Sequence, residues 1–458
     1  MQIVVVGAGI SGLACAYRLH QLGHSVTVLE RSQRAGGVID TLHQSGFQLE
    51  MGPQSFLSSD RLLAVVRELG LEGELQQADR RAARYILLKG KLVRAPMAPP
   101  ALLGTPLVSL GTKLRLLIEP FRRTIPPEDD ESIAAFVRRK FGGDLLDNMV
   151  GPLVSGIYAG DPERLSLRAA FPFVYQWEKD YGSVLKGAMK SAPPKGKPRP
   201  TLCSFTGGVV ELIEALRSRL GDHLRTGVQV EAIQKRVTNG NAAFELHLSE
   251  GERRSAVRAD AVVLAAPTQA AAQIVGGVSP QAGDILRGIE YAAVGVVNTG
   301  YAREQVTHPL DGFGFLVPRH EGLNVLGTVW TSSLFPGRAP SGMVSLASFV
   351  GGATNPEIVT EAEDKLVEIV HAENARVLGI QGTPAMHAVR TYQRALPQYN
   401  LGHAARIARL RDELKNIPGL FVTGNYLEGP SIAACVDQAW KTADEAHRLA
   451  GATLQHSP

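Results

Sequence analysis

The sequence predicts a mixed fold, part α/β and part α+β, and three observations carry the prediction. The chain opens with a buried-strand run, a glycine-rich turn and an amphipathic helix. Strand-rich segments of the same kind recur near 207–265 and 419–425. A proline- and leucine-rich stretch at 95–127 interrupts them. The length of 458 residues suggests about three structural units at roughly 150 residues each. Hydrophobic residues at 44% and charged residues at 20% exclude disorder, collagen-like repeats and coiled coil. Aromatic residues at 6% argue against a stacking surface for single-stranded nucleic acid, and a net charge of +4 demands no polyanionic partner. Cys15, Cys203 and Cys435 form neither a CxxC nor a zinc pattern, and so sparse a set is no disulfide framework. A reducing compartment follows.

The elements follow in order. Residues 2–6 are a short apolar run of the kind that forms a buried parallel strand. Gly7-Ala8-Gly9-Ile10-Ser11-Gly12 follows, then a helical pattern through Leu13, Tyr17, Leu19 and Leu22 that stops at Gly23. A second strand, Ser25–Leu29, ends at Glu30. Met1 to Tyr17 carry no charge, but the absence of a basic n-region and the glycine spacing set a secretory signal aside. No later run of about 20 strongly apolar residues reads as a membrane span. Residues 60–77 read as a helix, and Tyr85–Val93 as a hairpin turning at Gly90. From 80 to 127 ten Lys and Arg face one acid, Glu119. Residues 190–200 read as a flexible basic loop. After Gly207-Gly208 a helix over 209–220 precedes strands near 224–236, 242–249 and 255–264. Mixed segments fill 290–390, a buried strand reaches Gly424, and a helix runs from about Ser431 to Ala450.

The first βαβ unit carries a dinucleotide signature. Gly7 permits the tight turn, Gly9 lets the backbone approach a pyrophosphate, and Gly12 lets helix and strand pack closely. Ile10 and Ser11 lie between them at the helix start, where backbone N–H groups face a phosphate. Glu30, with Arg31 beside it, ends the second strand; a carboxylate there accepts bonds from ribose hydroxyls. Arg34-Ala35-Gly36-Gly37 and then Gly52-Pro53-Gln54-Ser55 are glycine turns with one guanidinium, suited to a diphosphate. Alone, each of these could be an ordinary turn; their order after Glu30 favours the cofactor reading.

With these motifs the sequence resembles the FAD-dependent amine-oxidase-like superfamily and, within it, the protoporphyrinogen oxidases, over essentially the whole chain. The more discriminating segments are Gly156-Ile157-Tyr158-Ala159-Gly160-Asp161-Pro162, Asp311 to Pro318, Phe349-Val350-Gly351-Gly352 and Leu396 to His403. Gly424-Asn425-Tyr426-Leu427-Glu428-Gly429-Pro430-Ser431-Ile432 resembles the last flavin motif. The resemblance implies a discontinuous Rossmann-like FAD-binding domain at 1–84, 207–285 and 385–458. It implies a substrate domain with a mixed β-sheet at 85–94 and 286–384, and an inserted helical membrane-binding domain at 95–206. Gly424, Asn425, Ser431 and Ile432 would then face FAD, and Val230 would lie against adenine. Cys435 lacks the flanking glycines of covalent attachment, so the expected FAD is non-covalent.

The implied reaction oxidises protoporphyrinogen IX to protoporphyrin IX, in three flavin cycles of two electrons, with dioxygen as acceptor giving hydrogen peroxide. The hydride goes from a meso carbon to flavin N5, so no side chain is assigned as catalytic and none of the 12 histidines is promoted. Arg84 matches the cation that pairs with a propionate. Gly156 matches a glycine whose carbonyl faces the pyrrole N–H groups. Phe313, Leu316, Val329 and Phe349 match apolar substrate positions. Cations mixed with leucines over 95–200 suit an anionic bilayer surface, so the expected location is cytoplasmic, peripheral to the cytoplasmic face of the membrane. The expected partners are the porphyrinogen, molecular oxygen and the membrane surface, with no nucleic acid; a homodimer and hand-over to the next heme-pathway enzyme stay open. Three alternatives stand beside this reading: a coproporphyrinogen III oxidase, a flavin amine oxidase or carotenoid desaturase, and a non-enzymatic lipid-surface protein on a flavin fold.

Overall fold

The computed structural model describes residues 1–97, 99–191, 200–238 and 241–455. The apolar runs read from the sequence become one five-stranded parallel sheet. β1 (Gln2–Val6) lies at its centre, between β2 (Ser25–Glu30) and Ala261–Leu264, and Leu224–Thr226 and Leu420–Val422 form the outer strands. Side chains alternate across β1: Ile3 and Val5 enter one core with Leu13, Ile213 and Trp440, and Val4 and Val6 enter the other with Ile233, Phe244 and Leu286. Burial on both faces explains the absence of polar alternation in these strands. Val6 pairs with Leu29 and Leu264, so the strands end at one level, and α1 (Ile10–Gln21) begins there. Ligands of parallel sheets bind beyond such carboxyl ends.

A second, seven-stranded sheet runs in the order Met386–Pro397, Tyr291–Ala302, Met343–Gly351, Val325–Val329, Gly312–Leu316, Ala83–Leu88, Lys91–Arg94. Its neighbours are antiparallel except for Gly312–Leu316 with Ala83–Leu88. The expected hairpin is there, and it turns through Lys89 and Gly90 at φ 51° and 73°. Positive φ at both central residues makes a turn whose twist suits the strands. Between Arg94 and the strand Leu202–Phe205 the regular elements among the described residues are helical, with a core of Phe136, Val137, Leu146, Val154 and Tyr158.

Four expectations need correction. The helix expected over 60–77 is Asp60–Glu68 only; Gly70 takes φ 79°, and Leu75–Gln77 becomes a strand against Leu202–Phe205. Leu71 and Leu75 extend the apolar pattern by packing on the same core from a non-helical backbone. The strand expected over 224–236 breaks at Gly227 (φ 73°) into Leu224–Thr226 of the parallel sheet and Gln229–Thr238 of a separate antiparallel one. The boundaries at 84/85 and 385 cut wrongly, since Ala83–Leu88 and Met386–Pro397 both belong to the seven-stranded sheet. Leu202–Phe205, drawn inside the insertion, pairs with Phe56–Leu57 and Leu75–Gln77. A strand's sequence shows its pleat but not its partners. The basic loop expected at 190–200 falls at 192–199 outside the described residues.

Candidate active site

The turn after β1 makes a cradle almost free of side chains. Gly7 (φ 103°) donates its N–H to Leu29 O at 2.8 Å. A Cβ at Gly12 would stand 1.9 Å from Gly7 O, so α1 packs onto the strand only through a hydrogen. A Cβ at Gly9 would meet nothing within 4 Å, which marks the open side. Opposite it, the Gly36 N–H donates to Ala8 O at 2.7 Å, and Gly37 (φ 61°) approaches Gly9 closely. Glu30 joins the two turns: Oε2 accepts from the Ala8 N–H (2.7 Å) and Oε1 from the Ser32 N–H (2.8 Å). Arg31 is exposed, and Val230 lies at a bulge two residues past Val228, whose N–H donates to Glu30 O at 2.8 Å. Arg34 stands differently from the sequence expectation. Its guanidinium donates to the carbonyls of Ala35, Gly37 and Ile39 and pairs with Asp40 at 3.7 Å, so it braces the glycine turn from within.

The C-terminal motif meets this cradle. Thr423 donates its N–H to Leu264 O (3.0 Å), which sets Gly424 and Asn425 beyond the sheet edge. Ser431 caps the helix Ile432–Gln455 by accepting from the Ala434 N–H at 3.2 Å. That helix runs parallel to α1: Ser11 lies against Cys435, Tyr17 against Trp440 (6.3 Å between centroids), and Arg18 pairs with Asp444 at 3.1 Å. Both helix N-termini therefore end on the same side, beside Gly9 and Ser431, with their free N–H groups and positive dipole ends. An open backbone cradle, a strand-end carboxylate and two helix N-termini fit the diphosphate and ribose of a dinucleotide cofactor. Among the described residues no cluster of His, Cys, Asp and Glu is arranged to hold a metal ion.

From the Gly52–Gln54 turn a cavity of about 770 Å³ extends between the seven-stranded sheet and the inserted helices. Arg84, Gly156, Phe313, Leu316, Val329 and Phe349 all line it, together with Gly52, Pro53 and Gln54. Ser55 is half-buried just behind them. A Cβ at Gly52 would stand 2.0 Å from Val38 O, and one at Gly156 2.9 Å from Leu316 Cδ2. Gln54 is buried and donates to Glu50 O and Gly52 O, while its Oε1 has no partner among the described residues. Apart from Gln54, Tyr85, Ser155, Thr328 and Tyr392 the walls are apolar, and Arg84 is the one charged side chain among the described residues that line them. Its guanidinium lies 5.2 Å over the Phe313 ring and 3.8 Å from Met97 Sδ, with no carboxylate of the described residues paired to it.

Sequence reasoning missed the support behind this floor. Arg338 is 1% exposed, donates to Ser204 Oγ (2.5 Å) and Phe205 O (3.1 Å), and lies 3.9 Å from Glu50. Glu50 accepts from the Thr41 hydroxyl and the Val209 N–H, and burial pushes its carboxyl up to about 7. Apart from Thr41, these partners lie over 100 positions apart in the chain, so no local spacing could have signalled them.

The flavin containing amine oxidoreductase pattern matches residues 10–447. The chloroplastic protoporphyrinogen oxidase of Nicotiana tabacum is 35% identical over 469 residues, which cover 97% of this chain and 85% of the tobacco protein. The coproporphyrinogen III oxidase of Bacillus subtilis is 30% identical over 465 residues, covering 97% of each chain. A crystal structure from Exiguobacterium sp. 255-15, assigned to the protoporphyrinogen oxidases, has a TM-score of 0.82 at 26% identity and covers 98% of each chain.

Proposed function

The chain belongs to the flavin-containing amine oxidoreductase family, and we propose that it oxidises protoporphyrinogen IX to protoporphyrin IX in heme biosynthesis. The observation that carries this reading is the apolar cavity of about 770 Å³ with one cation among the described residues of its walls, reaching the cofactor turn at Gly52–Gln54. A porphyrinogen is a large apolar macrocycle with acidic side arms, and it needs an apolar slot with few, placed cations. Protoporphyrinogen has two propionates, on one side of the ring, and Arg84 can take one of them at the exposed end. Coproporphyrinogen carries four around the ring, and some would press uncompensated charge against leucine, valine and phenylalanine. This favours the first substrate over the second, even though relatives of both names resemble the chain.

The chain's own groups bind and orient. Phe313, Leu316, Val329 and Phe349 exclude water from the macrocycle, and Gly156 leaves room where a side chain would meet Leu316. When bound, flavin supplies a two-electron acceptor, so the six-electron conversion takes three cycles. We read the cofactor as FAD held without a covalent bond. In support, the Cys435 thiol is buried against Ser11, and burial pushes its pKa up to about 11. Dioxygen is the proposed final acceptor. The parallel-sheet segments form the cofactor domain, and the seven-stranded sheet forms one wall of the substrate site.

The helical insertion is the proposed membrane contact. Leu110, Leu114, Leu117, Phe121 and Ile125 are 82%, 57%, 54%, 84% and 83% exposed, interleaved with Lys113, Arg115, Arg122 and Arg123. Apolar side chains beside cations suit the interface of an anionic leaflet. No helix among the described residues is long and apolar enough to cross a membrane, which supports peripheral attachment, proposed at the cytoplasmic face. The test of the activity has two stages: protoporphyrinogen added anaerobically to the purified holoprotein should bleach the flavin absorption, and admitting dioxygen should restore it while porphyrin fluorescence appears. Unchanged flavin absorption in the presence of substrate would reject the reading.

A further inference from the structure

Residues 397–403 lie outside the cavity lining, yet three regions meet on them. Their backbone holds the inserted helices. The Ser166 N–H donates to Tyr399 O (2.8 Å), the Leu401 N–H to Arg164 O (2.9 Å) and the Gly402 N–H to Asp130 Oδ2 (2.8 Å). Gln398 Nε2 donates to Tyr158 O at 2.9 Å. The Tyr399 side chain reaches the other way. Its hydroxyl donates to Asn425 O (2.6 Å) and accepts from the Gly429 N–H (2.7 Å), closing the loop between Leu420–Val422 and the last helix. The ring stacks on the His403 imidazole, 4.3 Å between centroids at 12°, and His403 Nε2 donates to Tyr426 O at 2.9 Å. Both side chains are 1% exposed. Burial holds the imidazole neutral, down to about 4, and its carbonyl partner requires the proton on Nε2.

We propose that Tyr399 is a positioning residue for the flavin: its hydroxyl fixes the 424–430 loop in a cofactor-binding shape and ties that loop to the inserted helices. The proposal rests on reading Gly424–Ile432 as part of the cofactor site. A loop with no ladder of its own must take its shape from side chains, and here one hydroxyl satisfies a carbonyl and an N–H four residues apart. Because the same segment carries the helices, the coupling is reciprocal: a cofactor that favours the ordered loop also favours the docked insertion by the same factor.

The test is Tyr399→Phe, which keeps the stacked ring and removes the hydroxyl. Diluting the full-length holoprotein and reading released flavin by fluorescence should show roughly tenfold weaker FAD retention. At saturating FAD the flavin absorption bands should be shifted, while the melting temperature stays near parental. Hydrogen exchange over 158–171 should be slowed by FAD in the parent and not in the variant. His403→Gln, which can keep a donor toward Tyr426 O, should retain most of the FAD affinity. Parental FAD retention and spectrum in Tyr399→Phe would overturn the proposal, as would a loss of stability that excess FAD does not recover. Glu30→Ala measured alongside separates the two failures. If it alone weakens FAD, the cofactor reading stands without Tyr399; if neither variant does, both fall.

Discussion

Arg84→Ala removes the one cation among the described residues in the walls of an apolar cavity. The side chain is exposed, lies over the Phe313 ring and beside Met97 Sδ, and has no carboxylate partner among the described residues. Its loss should therefore cost little stability, within about 0.5 kcal/mol. A charge-assisted bond to a propionate supplies ~1.5–3 kcal/mol. Solvent at the exposed end screens that figure toward its lower limit, and the stacking on Phe313 offsets part of the screening by holding the guanidinium in place before substrate arrives. The expected loss in kcat/KM is then roughly tenfold, at most about 100-fold. It should appear mainly as a raised KM, with flavin content unchanged. Arg84→Lys should recover part of it, since an ammonium restores the charge but not a bidentate grip. The assay is steady-state porphyrin fluorescence over a range of protoporphyrinogen concentrations for the three proteins. A parental kcat/KM in Arg84→Ala would refute the reasoning and mean that the propionate is held elsewhere.

Glu30→Ala should weaken FAD binding roughly 10- to 150-fold, for the loss of ~1.5–3 kcal/mol of ribose bonding; flavin release on dilution measures it. Replacing Phe121 and Ile125 together by Asp should abolish cosedimentation with anionic vesicles and spare turnover of detergent-solubilised substrate. Each cation neutralised among Lys113, Arg115, Arg122 and Arg123 should weaken that binding by ~1 kcal/mol. His403 gives a pH dependence of stability. Its folded pKa is lowered from 6.5 to about 4, so the unfolded chain takes up the proton first on acidification. Stability is then lost as pH falls from about 6.5 to 4, by up to ~3 kcal/mol. Urea unfolding at several pH values should show this slope, and His403→Gln should flatten it.

The parts legible in the sequence were those whose cause is local. Gly7, Gly9 and Gly12 need their spacing because a Cβ at Gly12 would collide with Gly7 O and one at Gly9 would fill the cradle's open side. The hairpin at Gly90 follows from the backbone that a two-residue turn demands. What stayed hidden is non-local. Nothing near Arg338 announces Glu50 or Ser204 as partners. Arg34 looks like a phosphate ligand until the carbonyls of its own turn are seen around it. Met386–Pro397 reads as a strand, but its place beside Tyr291–Ala302 is set by tertiary pairing. Tyr399 sat in a segment singled out only by resemblance, and its task depends on a loop 26 and 30 residues further along.

An apolar cavity with Arg84 as its cation among the described lining residues suits a porphyrinogen whose propionates lie on one side. Turnover of protoporphyrinogen IX and coproporphyrinogen III by the same flavin-loaded preparation, followed aerobically by porphyrin fluorescence, tests it most directly. Oxidation of both substrates should be flavin-dependent, with the higher kcat/KM for protoporphyrinogen. A higher kcat/KM for coproporphyrinogen, or no porphyrin from either, would contradict it.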